Sequence, residues 1–256
     1  MDPRLNSLTT RKLLRSLADF LMPRVCLVCG RQLLDAEEHL CTSCMADLPL
    51  SYFGGLTRNP MADLFNKRLL ESGLDVPCYQ YATALFHYSS GSGYSNITQA
   101  LKYHRNFSAG RFFALMLGRS LAESKHFADV DLVCCVPLHW TRRWKRGYNQ
   151  SEIIAREVWK ELQGGGTQGV RFEPALLRRQ RVTRPQTRLD ASLRAANVAD
   201  AFVVKAGRVS GGLPPRHILL IDDVFTTGST LCACCAALLE AFGPHVRISV
   251  ATLAFA

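Results

Sequence analysis

Ile218-Leu219-Leu220-Ile221-Asp222-Asp223-Val224-Phe225-Thr226-Thr227-Gly228-Ser229-Thr230 joins four consecutive aliphatic residues to two adjacent carboxylates and a hydroxyl-rich turn around a glycine. Four aliphatics in a row fit a strand buried on both faces, as in a parallel sheet. The Ala- and Leu-rich stretch Leu231 to Phe242 reads as the next helix, so Thr226 to Thr230 fall where a strand hands over to a helix N-terminus. Gly228 permits a left-handed turn there. Backbone N–H groups at such a terminus, with the hydroxyls of Thr226, Thr227, Ser229 and Thr230, suit a phosphate. Asp222 and Asp223 would repel a phosphate; they suit the vicinal hydroxyls of a ribose, or magnesium. The plainer alternative is an Asp that only caps a turn, which leaves both the pair and the hydroxyl cluster without a reason.

Flanking stretches fit a strand–helix alternation. Tyr81 to Tyr88, Leu132 to Val136, His217 to Ile221 and Val246 to Leu253 read as strands, and Ala175 to Arg178 and Ala201 to Val204 as short strands or edges. Ile97 to Tyr103, Phe112 to Ser124 and Asn149 to Leu162 read as helices. This order implies a parallel or mostly parallel sheet flanked by helices, with ligands gathering at the carboxyl ends of its strands.

The net charge of +10 is unevenly placed: residues 101–200 carry 18 Lys and Arg against 9 Asp and Glu. Such a concentration points to an anionic ligand, a pyrophosphate-bearing small molecule or a nucleic acid backbone, with an ordinary solvated surface as the alternative. Within it, Arg142-Arg143-Trp144-Lys145-Arg146 follows the strand Leu132 to Val136 through an expected polar loop and can grip phosphate oxygens, Arg142 and Arg146 being the preferred contacts. Trp140, Trp144 and Tyr148 interleave with these cations in a way that also suits stacked bases of a single strand. A second basic stretch, Arg178 to Arg188, with Pro185 inside it, reads as a loop, either closing over a substrate or tracking a nucleic acid strand. His139 lies close enough in sequence to assist catalysis, although a lone His in a basic loop is more often a bystander.

Cys26-x-x-Cys29, eleven intervening residues and Cys41-x-x-Cys44 give two knuckles, the spacing of a structural zinc site. A redox dithiol would explain one pair but not two. Four thiolates leave no open coordination position, so the metal has no expected catalytic role. Cys78, Cys134, Cys135, Cys232, Cys234 and Cys235 lie mostly in apolar contexts and read as small core residues. Residues 5–21 carry Leu and Phe at helical spacing. No apolar stretch approaches the roughly 20 residues that span a bilayer, and the start of the chain lacks a signal-peptide core, which makes a cytoplasmic protein the expectation.

Ile218 to Thr230 resembles the thirteen-residue signature of type I phosphoribosyltransferases, which binds the ribose and 5-phosphate of phosphoribosyl pyrophosphate (PRPP). Val136-Pro137-Leu138, Arg142 to Gln150, and Gln186-Thr187-Arg188-Leu189 with Arg194, Asn197, Val198 and Phe202 resemble the ComF family, in particular its GntX type, from about Val25 onward. That resemblance implies an α/β fold with a type I phosphoribosyltransferase-like parallel sheet and a small N-terminal zinc ribbon. The implied division is 1–50 for helix and ribbon, 51–78 for a connector with a short helix, and 79–256 for the transferase-like part. It implies a Mg-PRPP site at Asp222, Asp223, Thr226, Thr227, Gly228, Ser229 and Thr230, with Arg142 and Arg146 on the pyrophosphate side. A transferase would expel pyrophosphate from C1 of the ribose through an oxocarbenium-like state. The implied setting is uptake or utilisation of DNA, with single-stranded DNA and DNA-uptake proteins as partners. Whether transfer occurs, and to which acceptor, stays open, as does the alternative of a non-enzymatic nucleic-acid-binding or PRPP-sensing module.

Overall fold

The computed structural model describes residues 23–74, 76–89, 91–165, 169–179, 201–205 and 213–256. The helix expected at 5–21 and the basic segment from Gln180 to Arg194 lie outside these residues.

Five parallel strands form the central sheet: β1 (Ala82–His87), β2 (Leu132–Cys135), β3 (Arg171–Phe172), β6 (His217–Phe225) and β7 (Arg247–Phe255), in the spatial order β1-β7-β6-β2-β3. The aliphatic run of β6 lies at the centre, and Ile218, Leu219, Leu220 and Ile221 are all fully buried. Each such side chain contributes about 1.5–3 kcal/mol by leaving water, so this run anchors the fold. The parallel α/β sheet matches the expectation from sequence.

After the short helix α1 (Thr42–Ala46), helices cover both faces of the sheet. On one lie α3 (Ser95–Tyr103), α4 (Phe107–Ala122) and α6 (Gln150–Gly164), packed through Leu101, Phe113, Leu117, Ile154 and Val158 against Leu219 and Ile221. On the other lie α2 (Pro60–Glu71) and α7 (Ser229–Phe242), packed through Phe65, Leu69, Cys234 and Leu238 against Ile218 and Leu220. Asn59 caps α2 through the Ala62 N–H at 2.8 Å, and Pro60 opens it. The strands β4 (Leu177–Arg179) and β5 (Phe202–Val204) pair antiparallel with each other in a separate two-stranded sheet. Cys134, Cys135, Cys232, Cys234 and Cys235 are buried core residues, as read from sequence, whereas Cys78 is exposed.

Several boundaries differ from the sequence reading: α4 begins at Phe107, five residues before the expected Phe112, β7 runs to Phe255 beyond the expected Leu253, and β3 adds a strand to those expected. Two further differences bear on the site. Strand β6 runs on to Phe225 instead of stopping at Ile221, because β7 is equally long and pairs with it in register as far as Phe225 opposite Phe255. Residues 140–146, expected as loop, form the short helix α5 (Trp140–Arg146), entered through the ring of His139 as N-cap and closed by Gly147 at φ 81°. No Gly or Pro interrupts this segment, so nothing prevents the turn from closing.

After β2 the chain passes to β3 on one side, and after β6 it passes to β7 on the other. The space beyond the carboxyl ends of β2 and β6 is therefore a topological switch point, where open α/β sheets hold ligands.

Candidate functional site

A cavity of about 190 Å³ opens at that switch point, and Arg142, Arg146, Asp222, Asp223 and Thr230 all border it. The spacing of Arg142 and Arg146 along α5 explains their pairing: residues four apart share one face of a helix. Arg143 lines a different cavity and Trp144 is 85% exposed. Arg146 is fixed further by its contact with Gln150 Oε1 (3.1 Å) and by lying 4.9 Å from the Tyr103 ring centroid. The cavity wall thus carries cations opposite carboxylates.

Asp222 and Asp223 lie within the strand, inside the end of the sheet. Asp222 Oδ1 accepts from Ser151 Oγ and from the Asp223 N–H, each at 2.8 Å. Burial, with the neighbouring Asp223 charge, pushes the Asp222 carboxyl up to about 7. Asp223 is 6% exposed, and its Oδ2 accepts no hydrogen bond among the described residues, although the Lys102 ammonium stands 3.1 Å away as an ion pair. Two close carboxylates with spare lone pairs present the hard oxygen donors that magnesium takes. The pair also has free acceptors for ribose hydroxyls.

Next to the carboxylates, Thr226 to Thr230 wrap a smaller hollow of about 40 Å³. Gly228 sits at φ 76°, and a Cβ there would meet the Phe225 ring at 2.8 Å, so both conformation and space demand glycine. Gly228 offers no side-chain cap, and Thr226, Thr227, Ser229 and Thr230 are exposed around the start of α7. Thr227 Oγ1 and Ser229 Oγ lie 3.0 Å apart. Helix N–H groups and hydroxyls here converge on a space suited to an anion.

Two residues of this site carry no signal in the sequence reading. Lys102 comes from the end of α3, and Ser151 from the first turn of α6, where Asn149 caps the helix and donates to the Val136 carbonyl at 3.0 Å. They lie 71 or more positions from Asp222 and belong to no local motif. Tyr148 works as a fastener: its hydroxyl donates to the Leu101 carbonyl and its ring meets Phe107 edge-on.

The four cysteines form a second centre. The sulfurs of Cys26, Cys29, Cys41 and Cys44 all lie within 4.8 Å of one another, with Cys29 and Cys41 3.7 Å apart. Tetrahedral zinc with bonds of about 2.3 Å holds sulfurs about 3.8 Å apart, so the cluster can hold such an ion. Burial opposes ionisation of Cys26, but N–H donors of Cys29, Cys41 and Val28 outweigh it and bring its thiol down to about 6. Glu37 ties the two knuckles together: Oε2 accepts from the Leu34 N–H (2.8 Å), and Oε1 from the Thr42 N–H (2.7 Å) and Arg31 (2.9 Å). Those N–H donors hold its carboxyl down to about 2. Tyr94 Oη donates to the Cys44 carbonyl at 3.2 Å, which attaches the knuckles to the start of α3.

Competence protein F of Haemophilus influenzae is 25% identical over 209 residues, 80% of this chain and 86% of that protein. DNA utilization protein YhgH of Escherichia coli O6:H1 is 34% identical over 157 residues, and YhgH of strain K12 is 33% identical over 157; each match covers 60% of this chain and 64% of the relative. The chain is a homologue of these proteins. No family model matches it. The match to YhgH spans just under two thirds of that protein. Among the described residues no helix is long and apolar enough to cross a membrane.

Proposed function

We propose that this ComF-type homologue binds Mg-PRPP in the cleft between β2 and β6 and serves the uptake, processing or utilisation of DNA. The observation that carries the reading is one cavity bordered by a carboxylate pair, two helix-aligned arginines and the end of a glycine-hinged hydroxyl loop. Asp222 and Asp223 would hold magnesium and the ribose hydroxyls, Thr226 to Thr230 the 5-phosphate, and Arg142 with Arg146 the pyrophosphate. The names of the relatives supply the DNA setting. Cys26, Cys29, Cys41 and Cys44 would hold a structural zinc, and the chain would divide near residues 50 and 78.

Bound magnesium would neutralise leaving pyrophosphate. The chain's own residues would orient the ribose through the carboxylates and hold the departing charge with Arg142 and Arg146. A phosphoribosyl transfer to an acceptor outside the chain fits this arrangement. The second reading, a nucleic-acid-binding or PRPP-sensing module without turnover, is favoured by a neighbouring groove of about 450 Å³ lined by Arg105, Arg142, Lys145, Arg146 and the exposed Tyr103.

Calorimetric titration of magnesium and PRPP into the zinc-loaded protein tests the first reading. Micromolar binding that disappears in the Asp222→Asn, Asp223→Asn double variant is the expected result. Absence of binding by the wild type overturns it and leaves single-stranded DNA as the ligand to titrate next.

A further inference from the structure

We propose that Lys102 is an exchangeable counter-ion of the site: in the ligand-free protein its ammonium neutralises Asp223, and on arrival of the magnesium-bound diphosphate it moves onto the phosphate oxygens. The inference rests on the Mg-PRPP reading and adds to it a residue that no motif marks.

The geometry is specific. Lys102 occupies the last turn of α3, and its Nζ lies 3.1 Å from Asp223 Oδ2, the buried oxygen that accepts no hydrogen bond among the described residues. Its side chain is 23% exposed. Lys102 borders both the carboxylate cavity and the larger basic groove beside it, so the ammonium stands on the boundary between the carboxylates and Arg142 with Arg146. Two adjacent carboxylates with no cation between them repel each other, and a lysine at that position removes much of the cost. A divalent ion at the same carboxylates supplies more charge and repels the ammonium. The phosphates that arrive with it offer the ammonium new acceptors. Lysine suits the exchange because its charge is a compact point on a flexible four-carbon stem, with donors that rotate freely; the planar fork of an arginine favours one bidentate geometry.

The exchange makes a prediction that a merely structural lysine does not: the two ligands respond with opposite signs to its removal. In Lys102→Met, Mn2+ alone, titrated by electron paramagnetic resonance, binds more tightly than in the wild type, by about fivefold or more, because its competitor for Asp223 is gone. Mg-PRPP, titrated by calorimetry, binds more weakly by about tenfold or more, because the diphosphate has lost a cation. Lys102→Arg restores part of the Mg-PRPP affinity. Loss of both affinities identifies a folding or positioning defect and overturns the exchange, as does no change in either. If the wild type binds no PRPP, the Mg-PRPP reading fails by itself, and the Mn2+ arm still decides whether Lys102 competes for the carboxylates.

Discussion

The two ends of strand β6 hold polar residues in opposite states. At the amino end His217 is buried and fully engaged: its Nδ1 lies 2.9 Å from Asp129 Oδ1, its Nε2 lies 2.8 Å from Ser249 Oγ, and Arg247 bonds Asp129 in turn. Ser, His and Asp line up there in a familiar catalytic order, yet Ser249 is wholly buried and no substrate can reach it. At the carboxyl end, Asp223 Oδ2 is buried with no hydrogen bond among the described residues and only the Lys102 ion pair beside it, and Asp222 is pushed up to about 7 by burial and by its neighbour. Satisfied buried polar groups specify a fold, whereas under-partnered ones at an open cleft are available to a ligand. One strand thus has a closed structural end and an open functional end.

That contrast breaks most visibly if the Asp pair is removed. The Asp222→Asn, Asp223→Asn variant is expected to lose Mg-PRPP affinity by about 100-fold or more while its Tm changes little, since the repulsion between the carboxylates and the Lys102 ion pair are lost together. A collapse of Tm would put the carboxylates among the groups that hold the fold. At the cysteine centre, Glu37→Gln removes the acceptor charge shared by Leu34, Thr42 and Arg31. A zinc competition assay should show about 10–100-fold weaker retention, the usual scale for a residue that positions metal ligands; unchanged retention would show that the knuckles hold their shape without Glu37.

How far each region is legible in the sequence follows from how local its interactions are. Ile218 to Ile221 announces a buried parallel strand, and Gly228 announces a left-handed turn, because burial and φ are properties of the residue itself. The cysteine knuckles are legible for the same reason, their spacing being the geometry. The length of β6 is not, because its extension to Phe225 is decided by β7, about 30 residues later. The pairing of Arg142 with Arg146 depends on α5 being helical, which a polar, basic stretch after Pro137 conceals. Lys102, Ser151 and the His217–Asp129–Ser249 chain are long-range meetings that no spacing encodes.

At the closed end the effects are on stability. His217→Ala should cost about 1–3 kcal/mol in urea unfolding, from the polar partners left behind, with Mg-PRPP affinity unchanged; a loss of affinity would join the two ends of the strand into one functional unit. A smaller effect is pH dependence. Burial, reinforced by the Arg247 cation, lowers His217 from 6.5 to about 4. Between those values the unfolded chain binds a proton that the folded chain does not, so this contribution to stability is complete above about pH 6.5 and is lost as the pH falls towards 4. Wild type should therefore lose stability over that interval more steeply than His217→Gln, and parallel curves would show that the ring titrates normally.

Hydrogen exchange on the whole protein, with and without Mg-PRPP, tests the central claim most directly, because it reports on both ends of β6 at once. The account predicts slower exchange at the amides of 222–231 and around 136–151, with none at 129–131 or 246–249. Protection confined to the His217 end, or absent from the 222–231 segment under saturating ligand, would contradict it.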